Sequence, residues 1–189
     1  MSKYTGLLMV FLALGSTWSL KAQKKDDFKN TLGLSAQVYP AGFIPTINYE
    51  HFLNGPSSLL FRFGGNFVDR QDFSDVNETE EGSGFGGTIG YRRHFSLTKG
   101  KLVAGLNFDI WNLNIDWTDG PSNTPNFGRT RTLVLQPWVE GGYFFKIKNT
   151  GSQLGVTLGF GREINAITDG EDVAQGFIGS ISLQYIIEL

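Results

Sequence analysis

Residues 58–67 read Ser-Leu-Leu-Phe-Arg-Phe-Gly-Gly-Asn-Phe. Four large apolar side chains in this stretch fall on one parity, at Leu59, Phe61, Phe63 and Phe67. The other parity carries Arg62 and Asn66. Alternate residues of a β-strand point to opposite faces, so a period of two indicates a strand with one apolar and one polar face.

The same alternation recurs along the chain. It marks eight segments, near residues 31–39, 44–53, 58–67, 84–95, 102–117, 131–146, 153–164 and 174–189. Glycine is abundant, with 25 residues, and turn signals separate the segments, which favours many short strands over helices. At 189 residues, the chain has room for one such domain and a targeting segment. We predict an all-β fold of eight antiparallel strands.

The polar face indicates which way the apolar face points. It carries mainly Gly, Ser, Thr, Asn and Gln, whereas a face in contact with water is usually dense in Lys and Glu. Seven lysines follow residue 22, in an N-terminal tail, at short turns or at a strand end: Lys24, Lys25, Lys29, Lys99, Lys101, Lys146 and Lys148. A lysine in contact with lipid near the midplane costs about 2–4 kcal/mol. The pattern therefore predicts an apolar exterior in lipid and a polar interior.

A sheet in lipid must close on itself, because open edges would leave backbone groups unpaired. We therefore predict an up-and-down transmembrane β-barrel over residues 31–189, closed by pairing of 174–189 with 31–39. The connections alternate between mostly long ones, near 68–83, 118–130 and 165–173, and short ones. An even strand count with this asymmetry predicts that both chain ends lie on the periplasmic side.

The N-terminal residues have the pattern of an export signal. Lys3 precedes an apolar run from Gly6 to Gly15, so residues 1–22 predict a signal peptide and residues 23–30 a periplasmic tail. Cleavage fits after Ala22 or after Ser19. The chain contains no cysteine, so the sequence predicts no disulfide, no thiolate metal site and no lipid anchor on a cysteine.

With these features the chain resembles the small OmpA/OmpX-type outer-membrane barrels of Gram-negative bacteria, in particular the outer-membrane β-barrel domain family of Bacteroidetes. The Ala22-Gln23 junction is similar to signal junctions in that family. The last strand carries alternating apolar residues at Ile181, Leu183, Tyr185, Ile187 and Leu189. The resemblance implies that these residues form the assembly signal that barrel-assembly machinery recognises, although the family commonly ends in Phe.

The fifth segment contains an irregularity. Leu102 to Ile110 hold apolar residues on one parity, whereas Trp111 to Trp117 hold them on the other. An extra residue in one strand of a pair shifts the parity, so the sequence predicts a β-bulge here.

Five charged residues lie on the predicted interior face: Glu50, Arg62, Arg92, Asp109 and Glu140. Eight strands enclose an interior that side chains just fill, and enclosed charges must pair. We predict a structural ion-pair network. A narrow ion path through the same residues is the alternative.

Other candidate motifs give weaker signals. Gly82 to Gly87 match the letters of a dinucleotide-binding loop, but a strand follows where that motif needs a helix. Acidic residues lie between Val68 and Gly82, including Glu80, and between Ile164 and Asp172, without the spacing of a calcium loop. We predict solvated loops there, and no cofactor or metal. The formal net charge of −2 does not favour nucleic acid as a partner.

The sequence therefore predicts a non-enzymatic outer-membrane barrel whose role is structural, or is performed by external loops that contact an extracellular partner. Its other expected partners are outer-membrane lipid and, during biogenesis, the assembly machinery. Two alternatives remain besides the ion path. A lipid A-modifying enzyme would need His51 or His94, both predicted at the rim opposite the outer leaflet, and a soluble lipocalin-like carrier would need an apolar interior.

Overall fold

The computed structural model describes residues 30–189 except 54, 72–75 and 121–123. Its strands are β1 (Asn30–Tyr39), β2 (Gly42–Phe52), β3 (Ser57–Gln71), β4 (Thr79–Leu97), β5 (Gly100–Asp119), β6 (Asn126–Ile147), β7 (Ser152–Arg162), β8 (Ile164–Asp169) and β9 (Phe177–Glu188). None of the described residues forms a helix long and apolar enough to cross a membrane. The predicted signal peptide and most of the predicted tail lie outside the described residues.

The strands form one closed ring. Each strand from β1 to β6 pairs antiparallel with the next, β7 pairs with β6 and β9, and β9 returns to β1. β8 continues the line of β7 along β6 after a break at Glu163. The ring therefore has eight strand positions, the seventh shared by β7 and β8. This confirms the predicted antiparallel up-and-down barrel.

The two ends of the barrel differ. The β2–β3, β4–β5 and β6–β7 turns lie at the same end as Asn30 and Leu189, which we call the terminal end. The β1–β2, β3–β4, β5–β6 and β8–β9 connections lie at the opposite end, the loop end. β4, β5 and β6 have 19, 20 and 22 residues, whereas β1 has 10, so these three strands extend furthest at the loop end.

The loop-end connections are shorter than the sequence predicted. β3 continues to Gln71 and β4 begins at Thr79, with Arg70 and Glu80 as register partners. The prediction of a solvated loop from Val68 to Gly82 is therefore wrong for both of these residues, which are buried. Strand pairing continues there because the two side chains point inward and bind each other.

The barrel is apolar outside and polar inside. One large outward residue from each strand position is at least half exposed: Leu34, Ile47, Phe63, Ile89, Leu106, Val139, Leu158 and Leu183. Inward neighbours on the same strands are polar and buried: Gln37, Asn48, Arg62, Thr88, Asn107, Gln136, Thr157 and Gln184. A water-soluble domain has the opposite arrangement, because it buries its apolar side chains in the core.

The predicted bulge in the fifth strand is wrong. β5 pairs with β4 and β6 without a register shift along its length. Trp111, Leu113, Ile115 and Trp117 therefore point inward, and Trp111 is 1% exposed. The parity of apolar residues changes because the part of the interior beside β5 becomes apolar near the loop end, while outward positions such as Asn114 become polar. A register irregularity lies instead in the β6–β8 pair, between Leu133 and Val134.

Candidate functional site

Four of the five predicted interior charges meet in the half of the barrel nearer the terminal end. Arg92 Nε donates to Glu140 Oε1 at 2.6 Å, and Arg92 Nη2 donates to Glu140 Oε2 at 3.1 Å. Arg92 Nη1 also reaches Glu50 Oε2 at 3.3 Å, and Arg62 Nη2 reaches Glu140 Oε2 at 3.2 Å. Their side chains are at most 3% exposed. We call these four residues the central network.

A glycine allows the central network to form. Arg92 on β4 and Glu140 on β6 are both register partners of Gly105 on β5, which lies between them. A Cβ atom at Gly105 would lie 2.8 Å from Glu140 Oε1 and 3.2 Å from Arg92 Cγ. The absence of a side chain at this position therefore lets Arg92 and Glu140 meet across β5.

Asp109 lies apart from the central network. It accepts a hydrogen bond from Trp138 Nε1 at 2.8 Å, and the Arg62 guanidinium stacks over the Trp138 ring with 5.2 Å between Cζ and the ring centroid. Asp109 and Arg62 thus contact the same indole. A buried carboxylate needs hydrogen-bond donors as much as a countercharge, and Trp138 supplies one.

A serine, a histidine and a glutamate meet at the terminal end, but not in the geometry of a catalytic triad. His94 Nε2 lies 2.8 Å from Glu50 Oε1 and 3.0 Å from Ser58 Oγ, and Ser58 also donates to Glu50. In a triad the acid and the hydroxyl contact opposite ring nitrogens, so that one orients the imidazole while the other is deprotonated. Here both contact Nε2, and all three residues are buried.

His51 lies on the outside of the barrel, apart from His94. It is exposed, and its Nδ1 lies 2.8 Å from Asn30 Oδ1. The structure therefore does not bring the two histidines into one site.

Among the described residues, no three His, Asp or Glu side chains are grouped so that they could hold a metal ion. The glycine-rich stretch from Gly82 to Gly87 lies within β4.

Apolar side chains fill the interior near the loop end. The cluster comprises Tyr39, Ile44, Val68, Trp111, Leu113, Ile115, Trp117, Val134 and Val173, which we call the apolar plug. Its polar atoms have partners: Trp111 Nε1 donates to Gln136, Trp117 Nε1 to Thr130 and Tyr39 Oη to Asn66. Apolar side chains thus enter the lumen near the loop end, beside polar ones.

A second buried ion cluster lies beside the apolar plug, and the sequence analysis missed it. Arg70 Nη1 donates to Glu80 Oε2 at 2.9 Å, and Arg70 Nη2 binds Glu163 at the break between β7 and β8. Glu163 also accepts a hydrogen bond from Gln136 Nε2 at 3.0 Å. Parity carried the signal, because Arg70 continues the inward series of Arg62, and Glu80 shares the parity of inward Thr88 and Arg92.

Comparison with known proteins shows the fold. No family model matches this chain, and no curated protein matches it. A major outer membrane protein from Thermus thermophilus has a similar structure, with a TM-score of 0.60 and 12% identity over 87% of this chain and 100% of that one. Neisserial surface protein A is also similar, with a TM-score of 0.56 and 10% identity over 88% of this chain and 100% of its own. The chain therefore has the fold of the small outer-membrane β-barrels.

Proposed function

We propose that this chain is an integral outer-membrane protein whose barrel is a closed, non-enzymatic scaffold that presents its loop end at the cell surface. The observation that carries the proposal is the polarity of the barrel. Large apolar side chains cover its exterior on all eight strand positions, while polar and charged side chains occupy much of its interior. Lipid solvates such an exterior, whereas water would leave it exposed at a large free-energy cost.

The contents of the lumen favour a closed scaffold over an ion path. The central network fills one level of the lumen with side chains bound to one another, and the apolar plug fills the next level. A permeant ion would have to break those pairs and then pass between the apolar plug and the paired side chains of Arg70, Glu80 and Glu163. The structural role of the central network is part of this proposal.

The position of the histidines favours a scaffold over an enzyme. With both chain ends in the periplasm, His51 and His94 lie at the rim opposite the outer leaflet. The Ser58 hydroxyl shares one imidazole nitrogen with Glu50, so His94 is not poised to deprotonate it towards a substrate. Neither arrangement supports lipid A chemistry.

The interior argues against a soluble carrier of apolar ligands. A lipocalin-like barrel would hold its ligand in an apolar cavity and turn polar side chains outward. Here the lumen near the terminal end holds Arg62, Arg92 and Glu140. Apolar side chains such as Leu106 and Phe63 point outward. The arrangement is the reverse of the one that a carrier needs.

The loop end offers the surface through which such a scaffold would act. β4, β5 and β6 extend past the apolar exterior, and the outer face of β5 and β6 becomes polar there, at Asn112, Asn114, Asp116, Arg129 and Arg131. Loops and strand ends on a rigid scaffold are common places for recognition. We propose that this surface contacts an extracellular partner.

Two finer assignments belong to the same proposal. Similarity to the Bacteroidetes domain family rests on the Ala22-Gln23 junction and the last strand. In β9, residues Ile181, Leu183, Tyr185 and Ile187 all point outward, where assembly machinery could contact them. Leu189, just past β9, is also exposed.

Fractionation of cells that produce the full chain tests the proposal. The protein should sediment with outer membranes and resist extraction at high salt. It should also migrate faster on a gel unheated than heated, because a closed barrel resists unfolding in detergent. A folded, water-soluble protein in the periplasmic fraction would overturn the proposal.

A further inference from the structure

The connection between β8 and β9 crosses the loop end of the barrel. We call its residues Glu171–Gly176 the strap. Val173 is 3% exposed and belongs to the apolar plug, whereas its neighbour Asp172 is exposed. One side chain of the strap therefore closes the plug from outside.

Side chains of the barrel bind the strap through its backbone. Thr130 Oγ1 donates to the Glu171 carbonyl at 2.8 Å. Asn77 Nδ2 donates to the Asp172 carbonyl at 3.2 Å, and Asn165 Nδ2 donates to the Val173 carbonyl at 2.8 Å. Three consecutive carbonyl groups of the strap thus have partners on three different parts of the chain.

Arg70 and Glu80 bind both backbone groups of the next residue, Ala174. Its N–H donates to Glu80 Oε1 at 2.9 Å, and its carbonyl accepts from Arg70 Nη1 at 2.7 Å. Arg70 and Glu80 also bind each other, and they are register partners on β3 and β4. We call this pair the clamp. Charge-assisted hydrogen bonds of this kind are stronger than neutral ones, so the clamp is the firmest polar attachment of the strap.

The ring of strands does not depend on the strap. β7 and β9 pair up to Arg162 and Phe177, and none of residues 171–176 is a register partner in a strand pair. Gly176, at the end of the strap, continues the β7–β9 ladder by one bond, because its carbonyl accepts from the Glu163 N–H at 2.7 Å. A cavity of about 190 Å³ lies beside the strap, lined by Tyr39, Pro40, Arg70, Glu163, Ala174 and Phe177 among others. The strap therefore has space to move on one side, and movement of residues 171–175 about Gly176 would leave the register pairs of β7 with β9 intact.

We propose that the strap is a releasable cover of the barrel mouth. Release of the clamp frees Ala174, lifts Val173 out of the apolar plug and exposes the plug at the loop end, while the barrel stays closed. Local opening of this kind costs less than global unfolding because few contacts are lost. The cover goes beyond the scaffold role, since it gives the loop end a closed and an open state.

Thiol accessibility tests the cover, because the chain has no native cysteine. The full-length protein in outer-membrane vesicles is labelled with a membrane-impermeant maleimide. Val173→Cys should react about ten-fold more slowly than Asp172→Cys, since its thiol is reached only through opening. Adding Glu80→Gln should raise the Val173→Cys rate about five-fold or more, and leave the Asp172→Cys rate unchanged.

The neighbouring Glu81→Gln is the matched control, because Glu81 is exposed and points outward from the same strand. It should leave both labelling rates unchanged. Equal rates at the two cysteines in the otherwise native chain would overturn the cover, and a Val173→Cys rate insensitive to Glu80→Gln would overturn the clamp. Loss of the heat-modifiable form with Glu80→Gln would show that the ring needs the clamp, which also contradicts the proposal. A failed membrane assignment would be distinct, because it would appear in every variant.

Discussion

Arg92 and Glu140 bind each other through two hydrogen bonds across β5, with 2.6 Å between Arg92 Nε and Glu140 Oε1 and 3.1 Å between Arg92 Nη2 and Glu140 Oε2. Both side chains are inside the barrel and at most 1% exposed. Glu140 also binds Arg62, so one carboxylate serves two guanidinium groups. The stability of the barrel should therefore be sensitive to this one residue.

Removal of the Glu140 carboxylate should destabilise the barrel strongly. Breaking a buried ion pair typically costs about 3–5 kcal/mol, because the remaining charges keep their desolvation penalty. We expect Glu140→Ala to lower the free energy of unfolding by about that amount in urea titrations in detergent micelles. The matched control is Asp116→Ala, whose pair with Arg129 is exposed and should contribute little. Equal effects of the two substitutions would show that the central network is solvated.

Gly105 should be intolerant of a side chain. Its Cβ would lie 2.8 Å from Glu140 Oε1, so Gly105→Ala should cost about 1–3 kcal/mol of unfolding free energy through overpacking. Gly141→Ala is the control, because its Cβ would meet only the Val103 carbonyl oxygen, at 4.0 Å. In a double-mutant cycle the Gly105→Ala penalty should shrink in the Glu140→Ala background. Strict additivity would contradict the close packing described here.

The face of each strand could be predicted from the sequence, because a period of two and the positions of the lysines depend only on local order. The partners of the buried charges could not be predicted in the same way. Parity gives the face of Asp109 but not its level in the lumen or its distance from Arg62, both of which depend on the register of every strand between them. In the structure Asp109 accepts a hydrogen bond from Trp138, whereas Arg62 stacks on that ring and pairs with Glu140.

The ends of the long strands were equally hard to predict. Past the apolar exterior, outward residues such as Asn114 and Asp116 are polar, so the hydrophobic alternation disappears while the strand continues. The same change of surroundings moves the apolar residues of β5 to the other parity at Trp111 and Leu113, and this is the pattern that a β-bulge also produces. The acidic composition around Arg70 and Glu80 favours a loop, whereas their parity indicates inward positions on strands.

Loss of the last strand should prevent closure. The pairs between β1 and β9 run from Thr31 with Glu188 to Val38 with Ile181, so deletion of Ile181–Leu189 removes all of them. Open edges in lipid have no water to satisfy their backbone groups. We expect this variant to be absent from the outer-membrane fraction in immunoblots. Normal accumulation with heat-modifiable migration would contradict the ring.

The purified protein should not conduct ions. The apolar plug and the paired side chains of Arg70, Glu80 and Glu163 occupy the lumen near the loop end, so an ion could not pass without losing its hydration or breaking buried ion pairs. We expect no stepwise current in planar lipid bilayers at either polarity, with a known porin in the same membrane as the positive control. Reproducible unitary steps from the purified chain would restore the ion path as its function.

The exposure of alternate residues to lipid tests the central claim most directly. Spin labels at single cysteines, one at a time, on Leu106, Asn107, Phe108 and Asp109 sample both faces of β5, where Leu106 and Phe108 point outward and Asn107 and Asp109 inward. In reconstituted bilayers we predict high collision rates with oxygen and low rates with a water-soluble nickel complex at Leu106 and Phe108, and low oxygen rates at the other two positions. High nickel accessibility at Leu106 and Phe108 would mean that the apolar face lies in water, and would contradict the assignment of this barrel to a membrane.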